Sequence, residues 1–375
     1  MDIRVTDAGR NVKRIQLFVD DEAVSGLYLF DLPMRVGGAV VRMGGIGGVA
    51  TRKEHRMKGY CRAVMDFTMR YMHDERYDMS VLFGIPNFYY RWGYVTSLVD
   101  CECLIRVDGD GCPGALREVR AKHRLRKMRR ADIPAVLEIY AKANASRSAT
   151  IARDPATWRG PRKGSGWQIK ARPLVAEQNG KIVGYMFVDE SNDSVVCSEA
   201  AARDEVAYSS FAAFLARRAR ALKQETVRVI APPDDPFAIY LRRFGATFTV
   251  RYPLCRAGMA CITNFNTLFR KLAAEFTRRA RAAGLAQPSS LCVVTDKGAA
   301  TISFDGRRAR VALGERPAQA RLCAAQEVLT QMLLGYRGWR DALNDERVRL
   351  SGRKAPLGPA LFPQGEPFMW PADHF

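Results

Sequence analysis

Strand-length apolar runs and helical stripes alternate along the first third of the chain. Segments 14–20 (RIQLFVD) and 24–30 (VSGLYLF) carry apolar residues at strand spacing, and Asp20-Asp21-Glu22 between them predicts a hairpin turn. Segment 39–51 (AVVRMGGIGGVAT) predicts a strand, or a strand pair, interrupted by glycines. Between 58 and 74 the apolar residues fall at 60, 61, 64, 65, 69 and 72, with Thr68 on the same face. That three-and-four spacing is a helix with one buried side. A strand is predicted over 78–85, then an aromatic turn from Asn87 to Tyr94, then renewed alternation over 95–107.

A second unit begins near Arg124. Asp132 and Pro134 open a helix over 131–144, and Asn179-Gly180 joins segments 173–178 and 181–188 in a hairpin. A helix follows over 206–223, a strand over 226–231, and a helix over 236–248 that ends at Gly245. The order repeats that of the first unit in pattern, though not in sequence. A third unit starts near 259, with a helix at 264–284, strands around 291–304 and 307–313, and a helix at 325–335. The division expected is 1–120, 121–257 and 258–375. The last unit closes on Trp370-Pro371-Ala372-Asp373-His374-Phe375.

Composition supports this division. The 375 residues are 47% hydrophobic, enough for two or three cored domains and incompatible with global disorder. No run approaches the roughly 18 apolar residues of a membrane span, and the first residues lack an apolar signal core, so a cytoplasmic protein is expected. Nine scattered cysteines without a C-x-x-C pair predict reduced, structural thiols, with Cys101 and Cys103 sharing one strand face. Four histidines, His55, His73, His123 and His374, leave little for a metal site, and none is predicted.

The net charge of +20 points first to nucleic acid. Its distribution changes that reading: residues 1–120 carry +1, 121–250 carry +10 and 251–375 carry +9. The basic runs 122–130 and 216–223 lack interleaved aromatic platforms, so nucleic acid is not the expected partner and the runs read as a solvated linker and helix face. Arginine outnumbers lysine 46 to 13, which suits phosphate recognition or a GC-rich genome.

Chemistry concentrates where Gly47-Gly48-Val49-Ala50-Thr51 runs into His55-Arg56-Met57-Lys58-Gly59-Tyr60-Cys61. A strand ends there, and a basic turn opens a long helix. Free amide groups at a helix N-terminus attract anions, assisted by the dipole. Gly59 lets the backbone approach closely, Arg56 and Lys58 add charge, and a diphosphate is the natural ligand. The same residues would also suit a plain strand–turn–helix with solvated charges. One strand later comes Phe88-Tyr89-Tyr90-Arg91-Trp92-Gly93-Tyr94. Together the two segments resemble the GNAT superfamily of N-acetyltransferases, whose R-x-x-G-x-G/A turn grips the acetyl-coenzyme A pyrophosphate. Here Cys61 takes the last, normally small, position. The H-R-x-x-G-Y and F-Y-x-x-x-G-Y segments resemble the enhanced intracellular survival (Eis) branch, which has tandem acetyltransferase-like domains and a C-terminal sterol-carrier-protein-like domain. Ile302-Ser303-Phe304-Asp305-Gly306 and Leu329-Thr330-Gln331-Met332-Leu333-Leu334-Gly335-Tyr336 are similar to that last domain.

The resemblance implies an α+β or α/β fold: two GNAT-like mixed-sheet domains followed by a sterol-carrier-like α/β domain. It implies acetyl-coenzyme A as co-substrate and a primary amine, on a small molecule or a peptide, as acceptor. It assigns co-substrate contacts to Val49, Ala50, Thr51, Arg56, Met57, Lys58, Gly59, Tyr60 and Cys61. It makes Tyr89 the general acid, suited to a thiol leaving group by a pKa of about 10; Tyr90 is its neighbour. It brings the terminal carboxylate of Phe375 into the site, to orient the amine or act through water. His55 would support the turn, and Glu54 reads as solvated. The relatives' ring-like hexamers imply a homo-oligomer. Two departures stand out. Only six residues separate the strand at 3–5 from that at 12–19, too few for the two helices that usually wall the acceptor site. The acceptor cleft is therefore expected to be wider, or walled by the C-terminal domain. The middle unit has Asp204 and Glu205 and no glycine at the corresponding turn, so no coenzyme A is expected there. A reading from another class is a non-enzymatic lipid- or nucleic-acid-binding protein.

Overall fold

Asn11, Asp20 and Asp21 all take positive φ, which makes the tight turns between β1 (Asp2–Gly9), β2 (Val12–Val19) and β3 (Glu22–Val36). These strands and β4 (Ala39–Thr51) form an antiparallel run. Helix α1 (Tyr60–Asp74) then crosses over to β5 (Met79–Gly84), which lies parallel to β4. β6 (Val95–Thr96) and β7 (Asp100–Arg106) follow. The chain is seen here in a computed structural model that describes residues 2–107, 116–191, 193–353 and 356–375.

The second unit repeats the plan. β8 (Arg124–Lys127) and α2 (Ile133–Ala143) lead to the antiparallel run of β9 (Ala171–Gln178), β10 (Lys181–Asp189) and β11 (Val195–Ala202). Helix α3 (Glu205–Ala221) crosses to the parallel strand β12 (Thr226–Val229). Then come α4 (Pro236–Leu241), β13 (Thr247–Arg251) and β14 (Ala257–Ile262). The repeat read from the pattern is thus visible as two β-α-β crossovers.

The sheets do not follow the linear boundaries at 120 and 257. The first is ordered β1-β2-β3-β4-β5-β14-β6, and the second β13-β7-β12-β11-β10-β9-β8. β7, which precedes the boundary at 120, joins the second sheet, and β14, which straddles the boundary at 257, joins the first. β7 buries Cys101, Cys103 and Ile105 between β12 and β13, and β14, buried along its length, fills the place beside β5. The exchange locks the two sheets side by side.

The third sheet is ordered β17-β16-β15-β18-β19, from β15 (Ser289–Thr295), β16 (Gly298–Phe304), β17 (Ala309–Leu313), β18 (Ala320–Ala324) and β19 (Val348–Gly352). Its helices are α5 (Phe265–Lys271), α6 (Ala273–Ala282), α7 (Gln326–Leu334), α8 (Trp339–Ala342) and α9 (Leu357–Leu361). The helix expected over 264–284 breaks at fully buried Leu272, which ends α5 and starts α6. The helix expected over 236–248 stops at Gly245, whose φ of 76° turns the chain into β13. β8 lies within the run read as linker.

The first sheet is covered on one face by α1, through Val64, Met65 and Met72, and on the other by the third unit, through Phe265, Leu268 and Phe269. A separate core holds the second unit, and Phe368 and Trp370 of the tail belong to it. The eight described cysteines form no disulfide, and Cys112 lies outside the described residues. Among the described residues, no helix is long and apolar enough to cross a membrane.

Candidate active site

β4 and β5 pair in parallel from Met43–Met79 to Ile46–Leu82, and pairing stops there. Beyond Ile46 the strands part. The edge of β4 through Val49, Ala50 and Thr51 is left unpaired with β5, and Gly48 bends it with φ 61°. The other edge stays tied to β3, and the Ser25 hydroxyl bonds the Ala50 carbonyl (3.2 Å) and the Thr51 hydroxyl (2.8 Å). A rigid, splayed slot results.

The basic turn lies at the end of that slot. Lys53–His55 form one 3-10 turn, Met57 takes φ 63° with its side chain in solvent, and Gly59 at φ 79° is the N-cap of α1. No side chain caps the helix, and no atom comes within 4 Å of where a Gly59 side chain would stand. The first amide groups of α1 are open to an anion, with the exposed Arg56 and Lys58 just before them in the chain. His55 Nδ1 beside them is buried without a partner. Tyr60 packs its ring 6.0 Å from that of His55, and Cys61 is half-buried, its thiol pushed up by burial. The residues present therefore fit a diphosphate. Glu54 is exposed, in keeping with a solvated role.

The aromatic turn is held from three sides. Trp92 Nε1 donates to Asp66 on α1 (2.6 Å), the Tyr94 hydroxyl bonds Ser80 on β5 (2.6 Å), and Gln326 Nε2 of α7 donates to the Gly93 carbonyl (2.5 Å). Tyr89 is left facing the splay. Its ring lies so close to Gly84 that a side chain there would come within 2.7 Å. Burial pushes the Tyr89 phenol up to about 12. Tyr90 is exposed and is absent from the cavity that Tyr89 lines, which separates the two neighbours.

The tail reaches the same cavity. The Phe375 ring stacks on Phe30 at 5.3 Å and meets Phe83 edge-on at 5.9 Å. A methyl group on Gly45 would stand 2.6 Å from that ring, and one on Gly47 would stand 3.0 Å from the Phe375 carbonyl carbon. Glycines at alternate positions of β4 thus clear one face for the tail. His374 packs on Phe83 at 4.1 Å and bonds the Met369 carbonyl through Nε2. Burial, with Lys163 nearby, pushes His374 down to about 3, so its imidazole is neutral.

The cavity measures about 760 Å³. Tyr28, Phe30, Gly47, Val49, Phe83 and Tyr89 form its first-unit side. The opposite wall comes from the second sheet, through Asp100, Glu102, Arg228 and Arg251, and from Trp167 and the tail. The wall expected from the C-terminal domain is instead supplied mainly by the second sheet, and the last unit contributes only its tail. Sequence reasoning missed that second-sheet wall because it depends on the strand exchange. The glycines of β4 signal a strand that breaks on its way into the co-substrate turn, but not the approach of the tail.

The corresponding turn of the second unit differs in kind. The Asp204 carboxylate caps α3 by accepting from the Ala207 amide at 2.9 Å. An internal carboxylate already fills the place an anion would take. Calorimetric titration is expected to find one coenzyme A site per chain, and a stoichiometry of two would contradict this reading of α3.

Residues 7–96 match the model of the GNAT acetyltransferase domain, so the first unit is an acyltransferase domain and the chain is an enzyme of that class. Solved structures share the fold over nearly the whole length. A probable N-acyltransferase from Enterococcus faecalis V583 is 19% identical, with a TM-score of 0.74 over 97% of this chain and 90% of that one. A GCN5-related N-acetyltransferase from Kribbella flavida is 18% identical, with a TM-score of 0.72 over 96% and 87%. Eis1 from Mycobacterium abscessus is 16% identical, with a TM-score of 0.63 over 96% and 90%. No curated relative matches the chain.

Proposed function

We propose, from the premise that residues 7–96 are a GNAT acetyltransferase domain, that this enzyme moves the acetyl group of acetyl-coenzyme A to a primary amine of a small molecule or peptide. One observation carries the reading. The splayed end of β4 and Tyr89 line one cavity, and β4 runs on from that cavity into the uncapped turn that starts α1.

The amides at the start of α1, with Arg56 and Lys58, hold the diphosphate. The free edge of Val49–Thr51 receives the pantetheine arm. Tyr89, kept protonated by burial, gives its proton to the departing thiolate. The Phe375 carboxylate, beside Gly47, orients the incoming amine or takes its proton through water. A carboxylate of ordinary pKa, about 3.5, is too weak a base to act alone. The neutral His374 adds no charge against a cationic amine. The third unit, read as sterol-carrier-like, acts here as a support, since α7 holds the aromatic turn through Gln326 and Gln331. A cytoplasmic site of action, in keeping with scattered reduced thiols, belongs to the same proposal, as does self-assembly up to a hexamer, which rests on the family resemblance.

The test is binding of acetyl-coenzyme A to wild type and to Arg56→Ala/Lys58→Ala. The double variant is expected to weaken binding about tenfold or more, with a flatter salt dependence, because each cation contributes on the order of 1 kcal/mol at such a site. Equal affinity in the two proteins would move the co-substrate elsewhere.

A further inference from the structure

The second unit has a crossover like the first, yet Asp204 closes its anion turn. Its use is visible in how it grips the tail. Arg153 is a fully buried guanidinium, with 1% of its side chain exposed. It makes two bidentate pairs. Nη1 and Nη2 donate to Glu199 Oε1 and Oε2 at 2.7 and 2.6 Å, and Nε and Nη2 donate to Asp373 Oδ1 and Oδ2 at 2.8 and 3.0 Å. The Tyr185 hydroxyl completes Glu199 at 2.7 Å, and the Tyr140 hydroxyl reaches Asp373 at 3.3 Å. The guanidinium carbon lies 3.9 Å over the Tyr140 ring. Arg153, Glu199, Tyr140 and Tyr185 all belong to the second unit, while Asp373 stands two residues before Phe375.

Further bonds act along the same segment. Trp370 Nε1 donates to Asn144 Oδ1 at 2.9 Å, and the Phe368 amide donates to the Ser148 carbonyl at 3.1 Å. Chain ends normally fray unless tied down. Here the tie is buried, and pulling one partner away from a buried ion pair is costly because it leaves an uncompensated charge. Two residues span at most about 7 Å, so fixing Asp373 confines Phe375 to the slot at Gly45 and Gly47.

We propose that Arg153 is a positioning residue of the acetyl transfer: the Arg153–Asp373 latch makes the second unit the holder of the segment 368–375 that completes the active cavity of the first. The proposal rests on the reading of Phe375 given above. It assigns the unit that lacks a co-substrate site a definite part in the reaction.

The test is hydrogen exchange on the full chain, run beside steady-state acetylation for wild type, Asp373→Asn and Arg153→Lys. Asp373→Asn keeps the Arg153–Glu199 pair, so the second unit keeps its core. Exchange over 368–375 is expected to rise at least tenfold, with little change elsewhere. kcat is expected to fall by about a hundredfold, the cost of small misplacements of reacting groups. The KM for acetyl-coenzyme A stays within about twofold, since the α1 turn is untouched. Arg153→Lys, which keeps the charge and loses the fork, falls between the two. Unchanged exchange would overturn the latch, and faster exchange with unchanged kcat would overturn its positioning role. Exchange is read without substrate, so a wild type that acetylated no amine would defeat the functional reading while the latch was still judged by its exchange.

Discussion

Tyr89→Phe is expected to lower kcat by about a hundredfold or more, with the KM for acetyl-coenzyme A almost unchanged. A positioned acid contributes on the order of 10²–10⁴ in rate, and phenylalanine keeps the ring while removing only the proton. The anchors of the turn, Trp92–Asp66 and Tyr94–Ser80, are untouched by the change, so the fold is retained. The pH dependence follows from the same burial. A phenol donates while it is protonated, which is below its pKa, and Tyr89 is pushed up to about 12. The wild-type rate therefore rises with pH as the acceptor amine, of pKa about 10, loses its proton. No falling limb from Tyr89 is expected below about pH 11. Tyr90→Phe is the control, and its exposed ring predicts a rate within about twofold of wild type. Equal losses in the two variants would remove Tyr89 from the acid role.

Extending the chain by two or three residues past Phe375 is expected to cost at least a hundredfold in kcat. The extension turns the carboxylate at Gly47 into a neutral amide and drives added atoms into a cavity already lined by Phe30, Phe83 and His374. Binding of acetyl-coenzyme A at the α1 turn should survive, which separates this loss from misfolding. Wild-type turnover in the extended chain would exclude both the carboxylate and the packed position of Phe375 from the reaction.

The parts of the site that lie within one local segment were readable in advance. The three-and-four stripe of α1, the turn at Asp20-Asp21 and the basic run before Tyr60 depend on neighbours in sequence, so pattern and spacing suffice for them. The strand exchange was not readable. β7 is a short alternating strand and β14 a short apolar one, and nothing in either says which sheet will take it. The cavity wall of Asp100, Glu102, Arg228 and Arg251 follows from that exchange and is hidden with it. β11 escaped notice for another reason: its buried Glu199 and its alanines look unlike a core strand until Arg153 is placed against them. Gly45 and Gly47 mark a break in the strand pattern, but the close approach they permit is to a residue more than 300 positions away, which no local pattern can show.

The charge distribution is also clearer. The near-neutral first third carries the proposed catalytic motifs, with a local basic turn suited to a diphosphate. In the second unit one arginine, Arg153, is buried in the latch, so part of the arginine excess serves internal order and not an external polyanion.

Acetyl transfer itself is the measurement that meets the central claim most directly. Wild-type enzyme, acetyl-coenzyme A and a panel of primary amines would be followed by release of free thiol and by the mass of the product. The account predicts thiol release that depends on the amine, one acetyl group gained by that amine, and loss of both in Tyr89→Phe. Thiol release at the same rate with and without every amine, or an acetylated product formed equally well by Tyr89→Phe, would contradict it.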